Sequence, residues 1–227
     1  MSSALRFENL AGGYGGVEIL HGVSGEVEPG RVLGVFGRNG VGKTTLARML
    51  SGSLPAADGS VLLSGANVNG MAAFERRRAG LGYMPQTSMV FDNLTVSENL
   101  SLAGSSDRLP DLYELFPRMR ERKDQKAGSM SGGERKIVAF TRTMLEDTNV
   151  IVLDEPSEGV QPENIAHMDA FISRRRDEGC AIVLIEQNLN MLLALADSFL
   201  GLDSGRAVYQ GTRESTTRDQ LLDVMLV

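Results

Sequence analysis

The segment with the clearest chemistry is a glycine-rich loop over residues 37–45, Gly-Arg-Asn-Gly-Val-Gly-Lys-Thr-Thr. It fits the pattern G-x-x-x-x-G-K-[ST], in which glycines let backbone N–H groups wrap a phosphate. The helix predicted to follow the loop adds about half a positive charge at its N-terminus. The Lys43 ammonium would reach the β- and γ-phosphates, and the Thr44 hydroxyl can bind Mg²⁺. The predicted contacts to a nucleotide in this loop are Gly37, Asn39, Gly40, Gly42, Lys43, Thr44 and Thr45.

Two carboxylates form the second candidate, because they follow an all-apolar strand over Val150–Leu153. In open parallel sheets ligands bind at the C-terminal ends of the strands, which is where Asp154 and Glu155 would lie. Asp154 would hold Mg²⁺. Glu155 would orient or deprotonate an attacking water, a contribution of typically ~10²–10⁴-fold. An acidic helix cap before Pro156 is the alternative, but the phosphate-binding loop favours the catalytic pair.

The composition excludes several other classes of function. The chain has 227 residues, of which 42% are hydrophobic and 23% charged, as in ordinary globular proteins of one large domain or two small ones. Its net charge of −6 argues against a general nucleic-acid binder. One cysteine and two histidines leave no disulfide framework, cysteine-based metal site or histidine-rich zinc centre. No apolar run approaches the ~18 residues that span a bilayer, and the N-terminus lacks a secretory signal, so we expect a cytosolic protein.

The order of the predicted elements indicates an α/β protein with an insert. Strands alternate with helices in the first and last parts of the chain, which predicts a mostly parallel sheet covered on both faces. The middle differs, because capping boxes that begin at Thr95 and Ser131 predict helices there. Nine basic and five acidic residues between Arg108 and Arg142 give this part a local charge of +4. We therefore predict a helical insert that stands apart from the sheet.

One further segment gives the sequence a family resemblance. Met130-Ser-Gly-Gly-Glu134 is similar to the signature Leu-Ser-Gly-Gly-Gln of ATP-binding cassette (ABC) ATPases. It lies between the phosphate-binding loop and the acidic strand, as in that family, and the resemblance covers essentially the whole chain. The resemblance implies ATP and Mg²⁺ as ligands. It also implies a head-to-tail dimer with a second ABC ATPase subunit, in which Ser131 and Gly133 of one subunit cap the nucleotide of the other.

The resemblance assigns roles to three more residues and one segment. Gln86 matches the glutamine that touches Mg²⁺ or the attacking water and reports to a membrane partner. Tyr14 resembles the aromatic residue that stacks on adenine, although an ordinary surface tyrosine is the alternative. The segment 157–162 occupies the position of the D-loop, which reaches across the dimer. Gln187 stands in the place of the switch histidine; a glutamine can hydrogen-bond the γ-phosphate but cannot become an imidazolium.

Several details resemble one branch of the family, the ATPase subunits of branched-chain amino-acid and urea or amide importers. They are Glu186-Gln-Asn188, Glu158-Gly159, Glu114–Arg118 and the Met-Ser-Gly-Gly-Glu signature, and the chain is similar to the shorter kind of subunit. The resemblance implies an ATPase that powers uptake of a small solute, branched-chain amino acids in the first place, through a separate integral membrane permease. The subunit would be held indirectly at the cytoplasmic face of a bacterial-type inner membrane, with no nucleic acid as a partner.

The implied fold is an α/β P-loop ATPase with a mostly parallel sheet, an N-terminal antiparallel β portion and an inserted helical subdomain. We expect one domain over 1–227, with its core at 1–86 and 136–227 and the helical subdomain at about 87–135. A nucleotide-dependent regulatory subunit with weak ATPase activity and an importer of urea or amides are the alternatives. Whether the dimer pairs two copies or two different chains stays open.

Two other features have simple interpretations. The arginine runs Arg76–Arg78 and Arg174–Arg176 are predicted to be solvated faces of helices. The residues Met89, Val90 and Phe91, just after Gln86, have two equally good interpretations. They either belong to the core of the insert or line a groove for a helix of the permease.

Overall fold

Two β-sheets carry the fold in a computed structural model that describes residues 3–87, 89–104 and 107–226. The strands among these residues are β1 (Leu5–Tyr14), β2 (Val17–Val27), β3 (Val32–Phe36), β4 (Asp58–Leu63), β5 (Ala66–Asn67), β6 (Leu81–Met84), β7 (Val150–Asp154), β8 (Ala181–Ile185), β9 (Ser198–Asp203) and β10 (Arg206–Thr212). The helices are α1 (Lys43–Ser51), α2 (Ala73–Arg78), α3 (Val96–Ser101), α4 (Leu109–Leu115), α5 (Pro117–Glu121), α6 (Gly132–Leu145), α7 (Pro162–Asp177), α8 (Leu189–Leu195) and α9 (Arg218–Leu226), with a 3-10 turn at Ala127–Ser129.

The larger sheet has the strand order β10-β9-β3-β8-β7-β6. Every neighbouring pair in it is parallel except β10 with β9. Strands β3, β7 and β8 are buried along their whole length. Near-continuous apolar runs of this kind are typical of parallel strands that are covered on both faces. The predicted mostly parallel sheet is therefore confirmed.

Four functional segments leave the same edge of this sheet, because they belong to four neighbouring parallel strands. The phosphate-binding loop follows β3, Gln187 follows β8, the acidic pair lies at the end of β7 and Gln86 follows β6. The carboxyl ends of parallel strands meet at one edge, which is the usual ligand site of such sheets. The crossover connections thus assemble the site from distant parts of the sequence.

The smaller sheet is antiparallel, has the order β2-β1-β4-β5 and contains the N-terminal strands. The inward-facing residues Leu5, Phe7 and Leu10 of β1 are fully buried. They belong to one hydrophobic cluster with residues of α1 and of the larger sheet. The predicted antiparallel β portion is confirmed, and its packing fixes α1 beneath the phosphate-binding loop.

The helical part of the chain continues into the core through α6. Both predicted capping boxes, at Thr95 and Ser131, are present. Helix α6 crosses the predicted boundary near residue 135, and its Phe140 packs edge-on against Phe171 of α7. A single hydrophobic cluster joins the helical part to the larger sheet. The division into core and helical subdomain stays a prediction, and residues 88, 105 and 106 of that subdomain lie outside the described residues.

The prediction that both arginine runs are solvated is wrong at Arg76 and Arg175. Arg76 on α2 is 2% exposed, and its Nη1 donates hydrogen bonds of 2.8 Å to the carbonyl oxygens of Met49 and Leu50. These carbonyls belong to the last turn of α1, where a cation is favourable. Arg175 on α7 is 1% exposed and donates to the carbonyl oxygen of Thr148. Both arginines bind backbone groups that are distant in sequence, which a local charge pattern does not reveal.

Candidate nucleotide and catalytic site

Glycines set the course of the phosphate-binding loop. Gly37, Gly40 and Gly42 have φ values of 146°, 84° and 108°, which residues with side chains rarely adopt. A Cβ on Gly37 would lie 2.3 Å from the carbonyl oxygen of Leu202, and one on Gly42 would lie 2.7 Å from Leu20 Cδ2. Gly42 is the N-cap of α1 and offers no capping side chain. The first N–H groups of α1 are therefore available to an anion.

The ammonium of Lys43 is the buried cation of the site. Its side chain is 4% exposed, and Nζ donates hydrogen bonds of 2.9 Å to the carbonyl oxygens of Gly37 and Arg38. Nζ also lies 3.2 Å from Glu155 Oε1. A buried ammonium needs such partners, because an unpaired charge inside a protein is strongly unfavourable. Lys43 thereby joins the phosphate-binding loop to the segment that follows β7.

Glu155 receives contacts from three segments at once. It is 4% exposed and has a φ of 51°, which is unusual for a residue with a side chain. Its Oε2 accepts a hydrogen bond of 2.9 Å from Gln86 Nε2, and its Oε1 accepts one of 2.7 Å from Gln187 Nε2. With Lys43 as the third partner, the carboxylate is fixed in position. Backbone strain of this kind collects at functional sites, so the geometry suits a group that accepts a proton at a defined point.

Gln187 bridges the phosphate-binding loop and Glu155. Its Nε2 donates to Asn39 Oδ1 over 2.6 Å as well as to Glu155 Oε1 over 2.7 Å. The predicted switch residue therefore lies between the loop that would hold the phosphates and the carboxylate that would face the water. A neutral amide keeps the same donors across the pH range, whereas a histidine would change its charge near neutral pH.

Asp154 has the features of a metal ligand. Its side chain is fully buried, Oδ1 accepts a hydrogen bond of 3.4 Å from the Thr44 hydroxyl, and Oδ2 has no partner among the described residues. The pKa of Asp154 is raised to about 6, chiefly because of burial and in part because of the nearby Glu155 charge, while the hydrogen bond from Thr44 acts to lower it. A cation would satisfy the unpaired oxygen. One carboxylate and one hydroxyl suit Mg²⁺, which typically takes one or two carboxylates together with substrate phosphates.

Three predicted contacts have other partners in the structure. Ser131 Oγ accepts a hydrogen bond of 3.3 Å from the N–H of Glu134 at the start of α6, where Gly133 also lies. Tyr14, at the end of β1, is 38% exposed, and its hydroxyl accepts a hydrogen bond from Arg48. The Arg48 guanidinium lies 5.7 Å from the centre of the Tyr14 ring, within the range of a cation–π contact. The nucleotide contacts of Ser131, Gly133 and Tyr14 stay predictions.

Lys136 is a further residue of this region, and the sequence motifs did not identify it. It is 5% exposed, and its Nζ donates a hydrogen bond of 2.9 Å to the carbonyl oxygen of Gln86. The same Nζ lies 3.5 Å from Glu158 Oε2. Lys136 therefore ties α6 to the loop after β6 and to the D-loop segment (157–162). The signal for its burial in the sequence is its position four residues before the buried Phe140, because residues with this spacing lie on the same face of a helix.

A methyl group at position 133 is expected to destabilise the protein, whereas the same change at position 132 is not. A Cβ on Gly133 would lie 2.7 Å from the carbonyl oxygen of Gly159, but a Cβ on Gly132 would meet nothing within 4 Å. Overpacking typically costs about 1–3 kcal/mol, so Gly133→Ala should lower the free energy of unfolding by that amount. Gly132→Ala should leave it unchanged or raise it, because alanine favours helix. Urea denaturation measures both; equal free energies of unfolding for the two variants would contradict the contact.

Known proteins are similar to this sequence over most of its length. The family model described as ABC transporter matches residues 20–158, which include the phosphate-binding loop, the signature segment and the acidic pair. The chain is 38% identical to the high-affinity branched-chain amino acid transport ATP-binding protein BraG of Pseudomonas aeruginosa, with 92% of each chain covered. It is 34% identical to the probable branched-chain amino acid transport ATP-binding protein LivF of Archaeoglobus fulgidus, again with 92% of each covered.

The fold is shared as well. A solved ATP-binding subunit of an ABC transporter superposes with a TM-score of 0.87 at 26% identity, over 97% of this chain and 98% of that one. Within the described ranges, every helix is too short or too polar to cross a membrane. The family model, the two relatives and the shared fold confirm the predicted resemblance. The chain belongs to the ABC transporter family, as an ATP-binding subunit that hydrolyses ATP.

Proposed function

We propose that this chain hydrolyses Mg²⁺-bound ATP to power the uptake of branched-chain amino acids through a separate membrane permease. The solute is inferred from the two relatives, whose names assign them to branched-chain amino acid transport. The observation that carries the ATP hydrolysis is the convergence of Lys43, Gln86 and Gln187 on the Glu155 carboxylate. Donors from three segments around one buried carboxylate suit a group that must be held in line with an attacking water.

ATP is the substrate of this reaction. The backbone N–H groups of the loop and the Lys43 ammonium bind its phosphates, and Tyr14 stacks on its adenine. Thr44, Asp154 and Gln86 would hold Mg²⁺, which when bound would neutralise charge on the phosphate oxygens. The unpaired Oδ2 of Asp154 supports this assignment.

Glu155 and Gln187 have separate roles in the hydrolysis step. Glu155 accepts a proton from the attacking water, and Gln187 turns its amide donor toward the γ-phosphate. The two histidines have other partners, since His21 Nδ1 lies 2.9 Å from Glu18 and the His167 ring packs against Phe116. Proton transfer in this site therefore uses carboxylates rather than an imidazole.

The site is completed by a second ATPase subunit, either a copy of this chain or a different one. Ser131 and Gly133 lie on α6, and their contacts are with Glu134 and the D-loop segment rather than with the phosphate-binding loop of their own chain. In a head-to-tail dimer they would cap the nucleotide of the partner. The negative charge of Mg²⁺-bound ATP between two helix N-termini would then hold the dimer together.

The permease would dock on an exposed apolar surface formed by Phe74, Met89, Phe91 and Leu102, which are 60%, 63%, 56% and 44% exposed. Polar contacts hold its parts together, because Arg142 donates to the carbonyl oxygen of Met89 and Arg77 donates to that of Leu102. Exposure favours the groove interpretation for Met89 and Phe91, whereas Val90 packs against the hydrophobic cluster of the larger sheet, as in the core interpretation. A helix of the permease fits such a surface, and this contact would place the chain at the cytoplasmic face of the membrane.

Reconstitution with the permease tests the proposed function. Proteoliposomes that contain the permease, this chain and its partner ATPase are expected to accumulate radiolabelled leucine only when ATP and Mg²⁺ are enclosed in the vesicles. ATP-driven uptake of urea instead of leucine would show that the solute is wrong. Phosphate release that is absent both from the chain alone and from its mixture with the partner would support a regulatory subunit and contradict the proposal.

A further inference from the structure

The carboxylate of Glu186 is bonded to two loops at once. It follows β8 and is 2% exposed. Its Oε1 accepts a hydrogen bond of 2.8 Å from the N–H of Ser157 in the D-loop segment. Its Oε2 accepts hydrogen bonds of 2.9 Å and 3.1 Å from the N–H groups of Gln187 and Asn188. The side chain thus spans from the loop after β7 to the loop after β8.

These bonds close a ring around the catalytic carboxylate. Glu155 lies two residues before Ser157, Ser157 donates to Glu186, and Glu186 accepts from the N–H of Gln187. The Gln187 side chain then donates back to Glu155. Hydrogen bonds to an ionised carboxylate are about twice as strong as neutral ones, so Glu186 holds the two loops in a fixed relative position.

We propose that Glu186 is a positioning residue, which couples the D-loop segment to the switch residue Gln187 and so aligns Glu155 for hydrolysis. This inference rests on the proposed function, because it assigns Glu186 a part in the ATP hydrolysis described there. A partner subunit that moves the D-loop segment would, through Ser157 and Glu186, move the amide of Gln187. Closure of the dimer therefore also aligns the catalytic carboxylate of Glu155.

A neighbouring carboxylate, Asp169, provides a control that changes the charge near Glu186 without changing the hydrogen bonds of the ring. Asp169 on α7 has an Oδ1 that is buried without a partner among the described residues. The pKa of Asp169 is raised to about 6, chiefly because of burial and in part because of the Glu186 charge. Asp169 therefore senses the charge of Glu186 but bonds to neither loop through that oxygen. Asp169→Asn removes one negative charge near Glu186 and replaces no residue of the ring.

Two substitutions of Glu186 test the bridge. Glu186→Asp is one methylene shorter, so it keeps acceptors for the N–H groups of Gln187 and Asn188, as aspartate does in turns, but does not reach Ser157. Glu186→Gln keeps the length but turns an NH₂ group toward N–H donors. Both should lower kcat by roughly tenfold to hundredfold, the effect of a small misplacement in a catalytic site. KM for ATP should change by less than about twofold, because Glu186 is not bonded to Lys43 or to the N–H groups at the start of α1, and the hydrogen bonds of Lys43 to Gly37 and Arg38 stay in place.

Amide hydrogen exchange provides a readout besides activity. In Glu186→Asp, peptides that cover Ser157 should lose protection while those that cover Gln187 and Asn188 keep it. Asp169→Asn should keep kcat within about twofold and leave both protected. A Glu186→Asp chain with wild-type kcat, or a rise in KM as large as the fall in kcat, would overturn the inference alone. A wild-type chain without ATPase activity would overturn the proposed function as well. If Glu186→Gln fails to fold, Glu186→Asp still decides.

Discussion

Replacement of Glu155 by glutamine is expected to lower the rate of phosphate release by ~10²–10⁴-fold, the usual contribution of a general base. Glutamine has the same shape and length as glutamate, so the new side chain still reaches Gln86 and Gln187. It cannot accept a proton at neutral pH, so the attacking water stays unactivated. Phosphate release with excess ATP and Mg²⁺ measures the change. Glu121→Gln, the same substitution at an exposed residue of α5, should retain the wild-type rate.

The same variant should trap the dimer. Because ATP is bound but not cleaved, the phosphate bridge between the two subunits persists, and Glu155→Gln should double its mass in light scattering only with ATP and Mg²⁺. If the native pair contains two different chains, the doubling requires the partner chain. A Glu155→Gln chain that hydrolyses ATP at the wild-type rate would show that Glu155 is not the base.

Replacement of Lys43 by methionine is expected to weaken ATP binding by roughly 30-fold to several thousand-fold. Truncating one partner of a buried charge pair costs about 2–5 kcal/mol, and each 1.4 kcal/mol is a factor of ten. Lys43 is 4% exposed and pairs with Glu155, so its loss removes the cation that faces the phosphates and leaves a carboxylate with one partner fewer. Methionine keeps the unbranched stem and most of the volume.

Fluorescence titration with a labelled ATP analogue measures this affinity. Lys126→Met is the matched control, because Lys126 is exposed and lies before the 3-10 turn rather than in the phosphate-binding loop. Its affinity for ATP should be that of the wild type. Equal affinities for Lys43→Met and wild type would place the phosphates elsewhere on the protein.

The sequence motifs were sufficient to predict the chemistry of the site. Helix α1 (Lys43–Ser51) follows the phosphate-binding loop as predicted, and Gly42 before it needs a backbone conformation that glycine supplies. The apolar runs of β7 and β8 predicted buried parallel strands, since only strands covered on both faces are apolar throughout. The neighbouring ends of these strands then bring Glu155 and Gln187 together.

Partners that are distant in sequence could not be predicted. Arg76 and Lys136 look like surface cations in a local pattern, but each is buried against the carbonyl oxygens of another segment. Glu186 has the same property, because its bond to Ser157 depends on the pairing of β7 with β8. Strand β2 begins at Val17, and its first three residues, Val17, Glu18 and Ile19, are exposed or half-buried.

Calorimetric titration of ATP into the wild-type chain measures whether the phosphate-binding loop accepts a nucleotide. We expect one nucleotide to bind per chain, more tightly with Mg²⁺ than without it, because Asp154 and Thr44 would bind the cation beside the phosphates. We also expect the affinity of Lys43→Met to fall by roughly 30-fold to several thousand-fold in the same titration. If a folded wild-type chain binds no ATP with Mg²⁺ present, the loop is not a nucleotide site and the proposed function is wrong.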